Sequence, residues 1–280
     1  MGHFDDETAI EPIEPGRWRT RLTGRWNIAD SANGGYALSP VLRALREVAG
    51  QRDPLSVTTH FLRPVQVPPG DGEWAEVRTE LVRSGRTTSV ASGTLVLAGR
   101  DRLRVMATFG ELDPPRPAGS ASGPTPGLTS GPSIVLGPPP LPPPERCVDR
   151  RMLDQGVELP ILDRLEVRIH PDRVAPDGSA DAVMEGWIRF ADRSAPSTSA
   201  LVLFADAFPP SLYAKFGRIG WVPSVELTVH ARRHPAPGWV QARFECDDLL
   251  DGRMIETGSL WDETGQLVAR SRQLGLLLVR

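Results

Sequence analysis

One carboxylate interrupts an otherwise apolar stretch of the chain. Asp206 is preceded by the apolar residues 201–205 and followed by Ala207 and Phe208. A carboxylate in such surroundings is expected to be at least partly buried, and burial disfavours its charged form and makes it a stronger base. Asp206 is therefore a candidate to activate a water molecule. The alternative interpretation is that it caps the turn at Pro209 by accepting local N–H groups.

A glutamine near the end of the chain is a second polar residue expected to face inward. In the alternating run 266–279, Gln273 shares a face with Ala269 and Ser271. An inward amide needs a hydrogen-bonding partner, and a positioned water would satisfy it. A core glutamine bonded to the backbone is the alternative, and the pattern alone does not decide between the two.

The tetrapeptide Asn33-Gly34-Gly35-Tyr36 stands where a helix is predicted to begin. The first N–H groups of a helix lack intrahelical partners and favour negative charge. These residues are therefore candidates to bind an oxyanion or a phosphate. The glycines have another explanation, because they also permit a tight turn or close packing of the helix on a sheet.

Two similar runs of secondary structure must position these residues. The first run begins with a helix predicted from apolar residues at helical spacing over residues 38–48. Its predicted strands cover 55–61, 73–84, 86–98 and 103–109. The second run has a helix over 200–208. Its predicted strands cover 163–170, 181–190, 222–233, 238–247, 253–262 and 266–279.

The two runs also match in sequence. Ser92-Gly93-Thr94-Leu95 parallels Thr257-Gly258-Ser259-Leu260, and a tryptophan, Trp74 or Trp239, precedes each glycine by nineteen residues. Together these matches favour a duplication. A helix followed by an antiparallel meander predicts an α+β fold in which a sheet wraps around its helix. A generic α+β protein is the alternative.

A proline-rich segment separates the two runs. Residues 113–146 are dense in Pro, Gly and Ser and predict an irregular connection rather than a helix or a central strand. We expect an N-terminal domain over residues 1–112, this linker over 113–146, and a C-terminal domain over 147–280.

Composition excludes several classes of function. The net charge is −3, from 32 basic and 35 acidic residues without a basic stripe, so nucleic-acid binding is not expected. The sequence has no apolar run of about 20 residues and no signal peptide, so a cytoplasmic protein without a membrane span is expected. The two cysteines, Cys147 and Cys246, form neither a disulfide framework nor a metal motif.

Several stretches resemble the bacterial thioesterase II family. They are NGGYALSPVLRAL, SVTTHFLRPVQV, the segment Glu80–Arg86 and the C-terminal LVARSRQLGLLL. The resemblance implies a double hotdog, with two antiparallel sheets that each wrap around a long helix. It also implies hydrolysis of acyl-CoA thioesters, in fatty acid metabolism, without metal or organic cofactor. Relatives with this fold usually associate through sheet edges, so a homo-oligomer is expected by analogy.

The resemblance implies a catalytic group of one carboxylate, one hydroxyl and one glutamine. These fall on Asp206, Ser224 and Gln273, with a serine where the family pattern usually has threonine. Simple alternation puts Ser224 on the polar face of its strand, unless a bulge or a bend redirects it. Thr228 is the alternative hydroxyl. The first-half helix has no acid to match Asp206, so one site per chain is predicted.

The substrate is expected to contact residues of the first half. The resemblance places the thioester near Asn33, Gly34, Gly35 and Tyr36, and His60 lies in the similar segment HFLRP. Arg83 and Arg86 are candidates to meet the nucleotide phosphates of CoA. The alternatives are that His60 is a surface residue of its strand and that both arginines form a solvated face.

Two other functions remain open at this point. A non-catalytic acyl-CoA-binding protein would keep the pocket without activating water. A hotdog enoyl-CoA hydratase or dehydratase would use an Asp–His pair in a G-D-x-N-P-x-H-like element, which the sequence lacks. The sequence also lacks G-x-S-x-G, which disfavours an α/β-hydrolase mechanism.

Overall fold

The helices and strands of the first half follow the predicted order. The computed structural model describes residues 2–70, 72–112, 134–154, 156–174 and 178–278. The helices of the first half are α1 (His3–Glu7) and α2 (Gly34–Ala49). Its strands are β1 (Ile10–Glu14), β2 (Arg17–Leu22), β3 (Asn27–Ile28), β4 (Ser31–Ala32), β5 (Asp53–Phe61), β6 (Glu73–Arg83), β7 (Ser89–Leu97) and β8 (Arg100–Gly110).

The second half repeats this arrangement with a shorter helix. Its helices are α3 (Ala200–Phe204) and α4 (Leu212–Phe216). Its strands are β9 (Val148–Asp149), β10 (Leu165–Ile169), β11 (Val183–Phe190), β12 (Ser224–Ala231), β13 (Val240–Leu250), β14 (Arg253–Trp261) and β15 (Leu267–Leu276). Every strand predicted in either half is present, to within a few residues at its ends.

The two halves share one continuous antiparallel sheet. Within the described residues its thirteen strands run in the order β1-β2-β6-β7-β8-β5-β12-β15-β14-β13-β11-β10-β9. The halves meet where β5 pairs with β12, with Val57 opposite Val229 and Thr58 opposite Thr228. Outward from this seam, β5-β8-β7-β6 on one side mirrors β12-β15-β14-β13 on the other. The double-hotdog fold is confirmed, with its two predicted sheets joined edge to edge.

Helix α2 forms the centre of the first half. The side chain of Asn33 caps its first turn by accepting the N–H of Tyr36. The helix packs on the sheet over Gly93, where an added Cβ would lie 2.7 Å from Cγ1 of Val41. Glycine at this position therefore lets the helix approach the sheet closely, which accounts for one of the residues shared by the two halves.

The second-half helix is much shorter than predicted. The expected run over residues 200–208 is helical only from Ala200 to Phe204, and all five of these residues are buried. The chain then turns toward Pro209 and Pro210, which lack an N–H and cannot continue a helix. The early end of α3 leaves Asp206 in the turn that follows the helix.

The N-terminal strands were absent from the predicted elements. β1 and β2 form a hairpin whose second strand pairs with β6, with Trp18 opposite Val77. Four of the five β1 residues are exposed, and Pro12 and Pro15 interrupt the local pattern. An exposed edge hairpin of this kind gives little alternation for a sequence pattern to detect.

The proline-rich connection lies partly outside the described residues. Residues 113–133 fall in that part, so the predicted boundaries of the linker stay a prediction. Residues 134–143 are described and have no regular structure. Carbonyls of this stretch accept hydrogen bonds from the second half, including that of Pro142 from the Trp187 indole at 2.8 Å. No helix in the described ranges is long and apolar enough to cross a membrane.

Candidate active site

Asp206 lies where the helices of the two halves meet. Its Oδ2 accepts the backbone N–H of Gly35 at 2.9 Å and the Asn33 amide at 2.9 Å. The same amide also donates to the Asp206 carbonyl at 2.8 Å. A carboxylate of the second half is therefore held at the N-terminus of α2 in the first half, where the helix dipole favours negative charge.

Two glycines make this close approach possible. An added Cβ on Gly34 would lie 2.7 Å from the Phe61 ring and 3.0 Å from Oδ2 of Asp206. On Gly35 it would lie 2.7 Å from Cα of Leu203 in α3. Both interpretations of the Gly-Gly pair therefore hold in part, since the glycines allow close packing and the freed N–H binds an anion. That anion is the side chain of Asp206.

Ser224 and Gln273 complete a chain of hydrogen bonds. The Gln273 amide donates to Oγ of Ser224, and Ser224 donates in turn to Oδ1 of Asp206 over 3.4 Å. Gln273 therefore faces inward, and its partner is a hydroxyl. The alternative of a core glutamine bonded to the backbone therefore does not describe Gln273.

A β-bulge turns Ser224 toward the cavity. The pairing of β12 with β15 shifts register between Ser224, opposite Gly275, and Glu226, opposite Leu274. An extra residue in one strand reverses the side of the sheet that the preceding side chain faces. Thr228, the alternative hydroxyl, instead bonds to Thr58 across the seam at 3.0 Å and does not line the cavity.

The acidity of Asp206 reflects its surroundings. Burial raises the pKa of Asp206 to about 6, although the hydrogen bonds from Gly35, Ser224 and Asn33 lower it. These bonds stabilise the ionised form, and the loss of solvation outweighs them. A carboxylate with a pKa near 6 is ionised at neutral pH and is a stronger base than an exposed aspartate.

The hydrogen-bonded cluster opens on a large cavity. Its volume is about 1050 Å³, and Asp206, Ser224 and Gln273 all line it. Most of the remaining wall is apolar, with Phe61, Val65, Phe208, Trp221, Phe244 and Leu276 among its residues. Space of this size with a few convergent polar groups is typical of a small-molecule site.

Several predicted contacts of the substrate lie away from the cavity. Tyr36 is fully buried, stacks on Trp26 and donates its hydroxyl to the Glu7 carbonyl, because its side chain points into the first-half core. His60 is exposed on β5 at the seam, opposite Glu226, because its parity puts it on the outer face. Neither residue lines the cavity.

The two arginine candidates lie at the opposite end of α2. Arg83 and Arg86 are exposed beside Gly85, whose carbonyl accepts a hydrogen bond from Gln51 just after the helix. A helix of 16 residues is roughly 24 Å long. That length separates both arginines from Asp206, and neither lines the cavity. The structure therefore brings together Asn33, Gly34, Gly35, Asp206, Ser224 and Gln273 but not Tyr36, His60, Arg83 or Arg86.

The sequence interpretation missed a second acid in the cavity wall. Glu256 is 6% exposed, lies opposite Gln273 in the β14–β15 pair and accepts the backbone N–H of Ser211 at 2.8 Å. Burial raises its pKa, and negative charge at Asp206 raises it further. Its alternation with the apolar Met254 and Leu260 was a signal that an acid faces inward.

Arg150 is another buried polar residue of the wall that the sequence did not indicate. It lies in a short turn, Arg150–Met152, and is 4% exposed. Its sequence surroundings, Asp149 and Arg151, are those of an exposed loop, so no local pattern indicates its burial. The described residues contain no cluster of His, Cys, Asp and Glu that could hold a metal ion.

Known proteins share the sequence family and the fold of this chain. The family model of the acyl-CoA thioesterase N-terminal domain matches residues 22–110, and that of the C-terminal domain matches residues 144–277. An uncharacterized protein of Mycobacterium tuberculosis H37Rv is 29% identical over 299 residues, which cover 98% of each chain.

Solved structures extend the similarity to the whole chain. A thioesterase II candidate from Thermobifida fusca YX has a TM-score of 0.83 and 27% identity, covering 99% of this chain and 98% of its own. The acyl-CoA thioesterase II TesB2 of Mycobacterium marinum has a TM-score of 0.73 and 20% identity, covering 99% and 98%, and shows the same fold. The chain therefore belongs to the acyl-CoA thioesterase family and is an acyl-CoA thioesterase with a double-hotdog fold.

Proposed function

We propose that this thioesterase releases a free fatty acid and CoA through a water molecule that Asp206 activates as general base. The observation that carries the proposal is the hydrogen-bonded group of Asp206, Ser224 and Gln273 on the wall of the 1050 Å³ cavity. The three residues come from separate elements: the turn after α3, the first residue of β12, and β15. Polar groups from separate elements that converge on one mostly apolar wall are typical of a binding or catalytic site.

The two oxygens of Asp206 have different tasks in this proposal. Oδ2 accepts two hydrogen bonds of 2.9 Å, from Asn33 and from Gly35, and these fix the orientation of the carboxylate. Oδ1 accepts only the 3.4 Å bond from Ser224 among the described residues. A carboxylate oxygen accepts about two hydrogen bonds, so Oδ1 has room for a water molecule.

Ser224 and Gln273 orient the attacking water. The Gln273 amide fixes the Ser224 hydroxyl, which directs its own hydrogen toward Asp206. A water bound to Oδ1 would lie beside this hydroxyl, where its position is defined by several groups. Such positioning lowers the entropic barrier to attack on a thioester carbonyl.

The reaction then proceeds by addition and elimination. The water oxygen adds to the thioester carbonyl carbon while one of its protons passes to Oδ1 of Asp206. The tetrahedral intermediate collapses with breakage of the C–S bond. Asp206 returns the proton to the departing CoA sulfur, so the products are a carboxylic acid and a thiol, and the enzyme returns to its initial state.

The pH dependence of hydrolysis tests this assignment. Because the ionised form of Asp206 is the base, kcat/KM should fall as pH drops through about 6 and reach a plateau above it. The measurement follows CoA release from a saturated acyl-CoA with a thiol reagent at pH 4.5 to 8. A flat profile across that range would rule out Asp206 as the titrating base. Hydration of an enoyl-CoA supplied in a parallel assay, without release of free CoA from either substrate, would favour the hydratase function.

A further inference from the structure

The cavity wall holds a buried guanidinium that hydrolysis by Asp206 does not use. Arg150 is 4% exposed, and its Nη1 donates to the carbonyl of Ala207 at 2.6 Å. Its Nε is buried and has no hydrogen-bond partner in the part of the chain that the structure describes. No carboxylate of the described residues forms an ion pair with it, although Asp206 and Glu256 line the same cavity.

This guanidinium carries its charge at neutral pH. Burial lowers the pKa of Arg150 to about 10, which leaves the group protonated under ordinary conditions. A buried charge without a paired charge is unfavourable, and proteins usually pair such groups with an acid. One backbone carbonyl offers only a partial negative charge. The remaining N–H groups of Arg150 therefore favour an anionic ligand in the cavity.

The other polar groups near Arg150 already have partners. The hydroxyl of Tyr213, which lines the same part of the cavity, donates to the carbonyl of Gly220 at 2.6 Å. Glu256 accepts the backbone N–H of Ser211 at 2.8 Å, and burial raises the pKa of Glu256. Asp206 is held by Asn33 and Gly35. The anion that complements Arg150 is thus absent from the described protein residues.

We propose that Arg150 binds a carboxylate carried by the acyl group, so that the preferred substrates include CoA thioesters of dicarboxylic acids. The inference rests on the proposed function, since the thioester carbonyl must lie beside Asp206. Arg150 bonds to the residue that follows Asp206, which places its guanidinium within reach of the acyl portion. A planar guanidinium pairs with a carboxylate through two parallel hydrogen bonds.

The phosphates of CoA are the other anionic source. The phosphates are expected to stay in contact with water, whereas Arg150 is buried, with only 4% of its surface exposed. The acyl carboxylate is therefore the better match for a group in the wall of the cavity. A residue that served the phosphates would affect all acyl groups equally, and this difference makes the two sources distinguishable.

The test compares, at each of three acyl lengths, a thioester that ends in a carboxylate with two neutral thioesters of the same length. Glutaryl-CoA, adipoyl-CoA and suberoyl-CoA are each assayed beside their neutral methyl esters and the saturated monocarboxylic analogue. In the wild type, the acid should be preferred over its methyl ester by about 10- to 100-fold in kcat/KM at one length at least. Arg150→Met should remove that preference and leave the saturated analogue within about threefold.

Further variants keep the result independent of folding and of Asp206. Arg150→Lys retains the charge but not the fork, so it should keep part of the preference. Thermal melting shows whether each variant is folded. The preference of the wild type for the acid over the methyl ester is measured without any variant, so it does not depend on the folding of a variant. Calorimetry also measures the Kd of Asp206→Asn for each acid and its methyl ester. This comparison of affinities gives a result even where turnover is slow. Continued hydrolysis by Asp206→Asn would contradict the proposed base without deciding the Arg150 preference.

Two results would overturn the inference. In the first, neither the wild type nor Asp206→Asn prefers the acid over its methyl ester at any length. In the second, Arg150→Met loses activity and affinity alike on acids, esters and saturated chains, which would assign Arg150 to the CoA phosphates or to the fold.

Discussion

The two ends of helix α2 each lie near a buried carboxylate, and the surroundings of these carboxylates differ. At one end, Asp206 accepts hydrogen bonds from Asn33 and Gly35, at the start of the other half's helix. At the other end, Asp53 follows α2 and accepts the hydroxyl of Thr198, just before α3, at 2.9 Å. Each half therefore places a buried carboxylate against the segment that begins the helix of the other half.

The surroundings of the two carboxylates differ in kind. Asp53 is 2% exposed and also accepts the N–H of Leu112 at 2.9 Å, and it pairs with Nε2 of His234 at 3.1 Å. Protein groups thus occupy both of its oxygens. Asp206 faces the cavity and has an oxygen with a single long hydrogen bond. Of the pair, only Asp206 is arranged to meet a substrate.

The register of the strands explains the difference residue by residue. Both seam strands carry a register shift, between Pro54 and Ser56 in β5 and between Ser224 and Glu226 in β12. Pro54 therefore takes the place of Ser224. By the same register, Ala107 takes the place of Gln273. Ala107 pairs with Val57, just after the bulge in β5, and Gln273 pairs with Leu227, just after the bulge in β12.

Glu256 follows the same rule. It lies opposite Gln273, as Ala91 lies opposite Ala107 in the first half. Serine, glutamine and glutamate at one end thus correspond to proline and two alanines at the other. The strand register of the two ends is common, whereas the carboxylates come from different backbone positions, since Asp53 directly precedes Pro54 and Asp206 lies 18 residues before Ser224.

Replacing the glutamine should produce a large effect at one end only. Gln273→Leu removes the amide that fixes Ser224, and we expect kcat to fall about 10- to 100-fold with a smaller change in KM. The matched control is Gln51→Leu at the closed end, where the side chain bonds the Ser89 N–H at 3.0 Å and the Gly85 carbonyl. This control should lower the melting temperature and leave kcat within about twofold. Equal losses of kcat in both variants would contradict the distinction between the ends.

The sequence predicted the fold and the inward-facing polar residues because these depend on local periodicity. The alternation of β15 placed Gln273 on the inner face, and the apolar run around Asp206 indicated its burial. The bulge at Ser224 depends on pairing with β15, and the position of Arg150 depends on packing against Ala207. Contacts of this kind, between residues distant in sequence, leave no local pattern to detect.

The predicted binding residues show a related limit. The segment Asn33–Tyr36 marked a helix N-terminus correctly, but of its four residues only Asn33 and Gly34 line the cavity. The sequence indicated free N–H groups without showing that a carboxylate of the same chain occupies them. Which anion meets a helix end is a property of the tertiary fold.

A smaller effect is expected from removing the amide that holds Asp206. The hydrogen bond from Asn33 lowers the pKa of Asp206, so Asn33→Ala should raise it. The pH at which kcat/KM is half-maximal should therefore move upward from about 6, by roughly half to one unit. Loss of the helix cap should also destabilise the protein by about 1 kcal/mol.

The matched control for this shift is Thr198→Val, which removes the hydroxyl bonded to Asp53. It should lower the free energy of unfolding by about 1–3 kcal/mol, because Asp53 loses a buried partner. The pH midpoint of kcat/KM should stay unchanged. A similar upward shift in both variants would mean that the midpoint reports general stability rather than the ionisation of Asp206.

The most direct test exchanges the same atom at each end of α2. Asp206→Asn and Asp53→Asn are compared with the wild type for CoA release from a saturated acyl-CoA, with thermal melting to verify folding. We expect Asp206→Asn to lose about 10²- to 10⁴-fold in kcat while it still binds the thioester. Asp53→Asn should melt at a lower temperature and keep kcat within about twofold. Full activity in Asp206→Asn, or an equal loss of kcat in a folded Asp53→Asn, would contradict a single site built around Asp206.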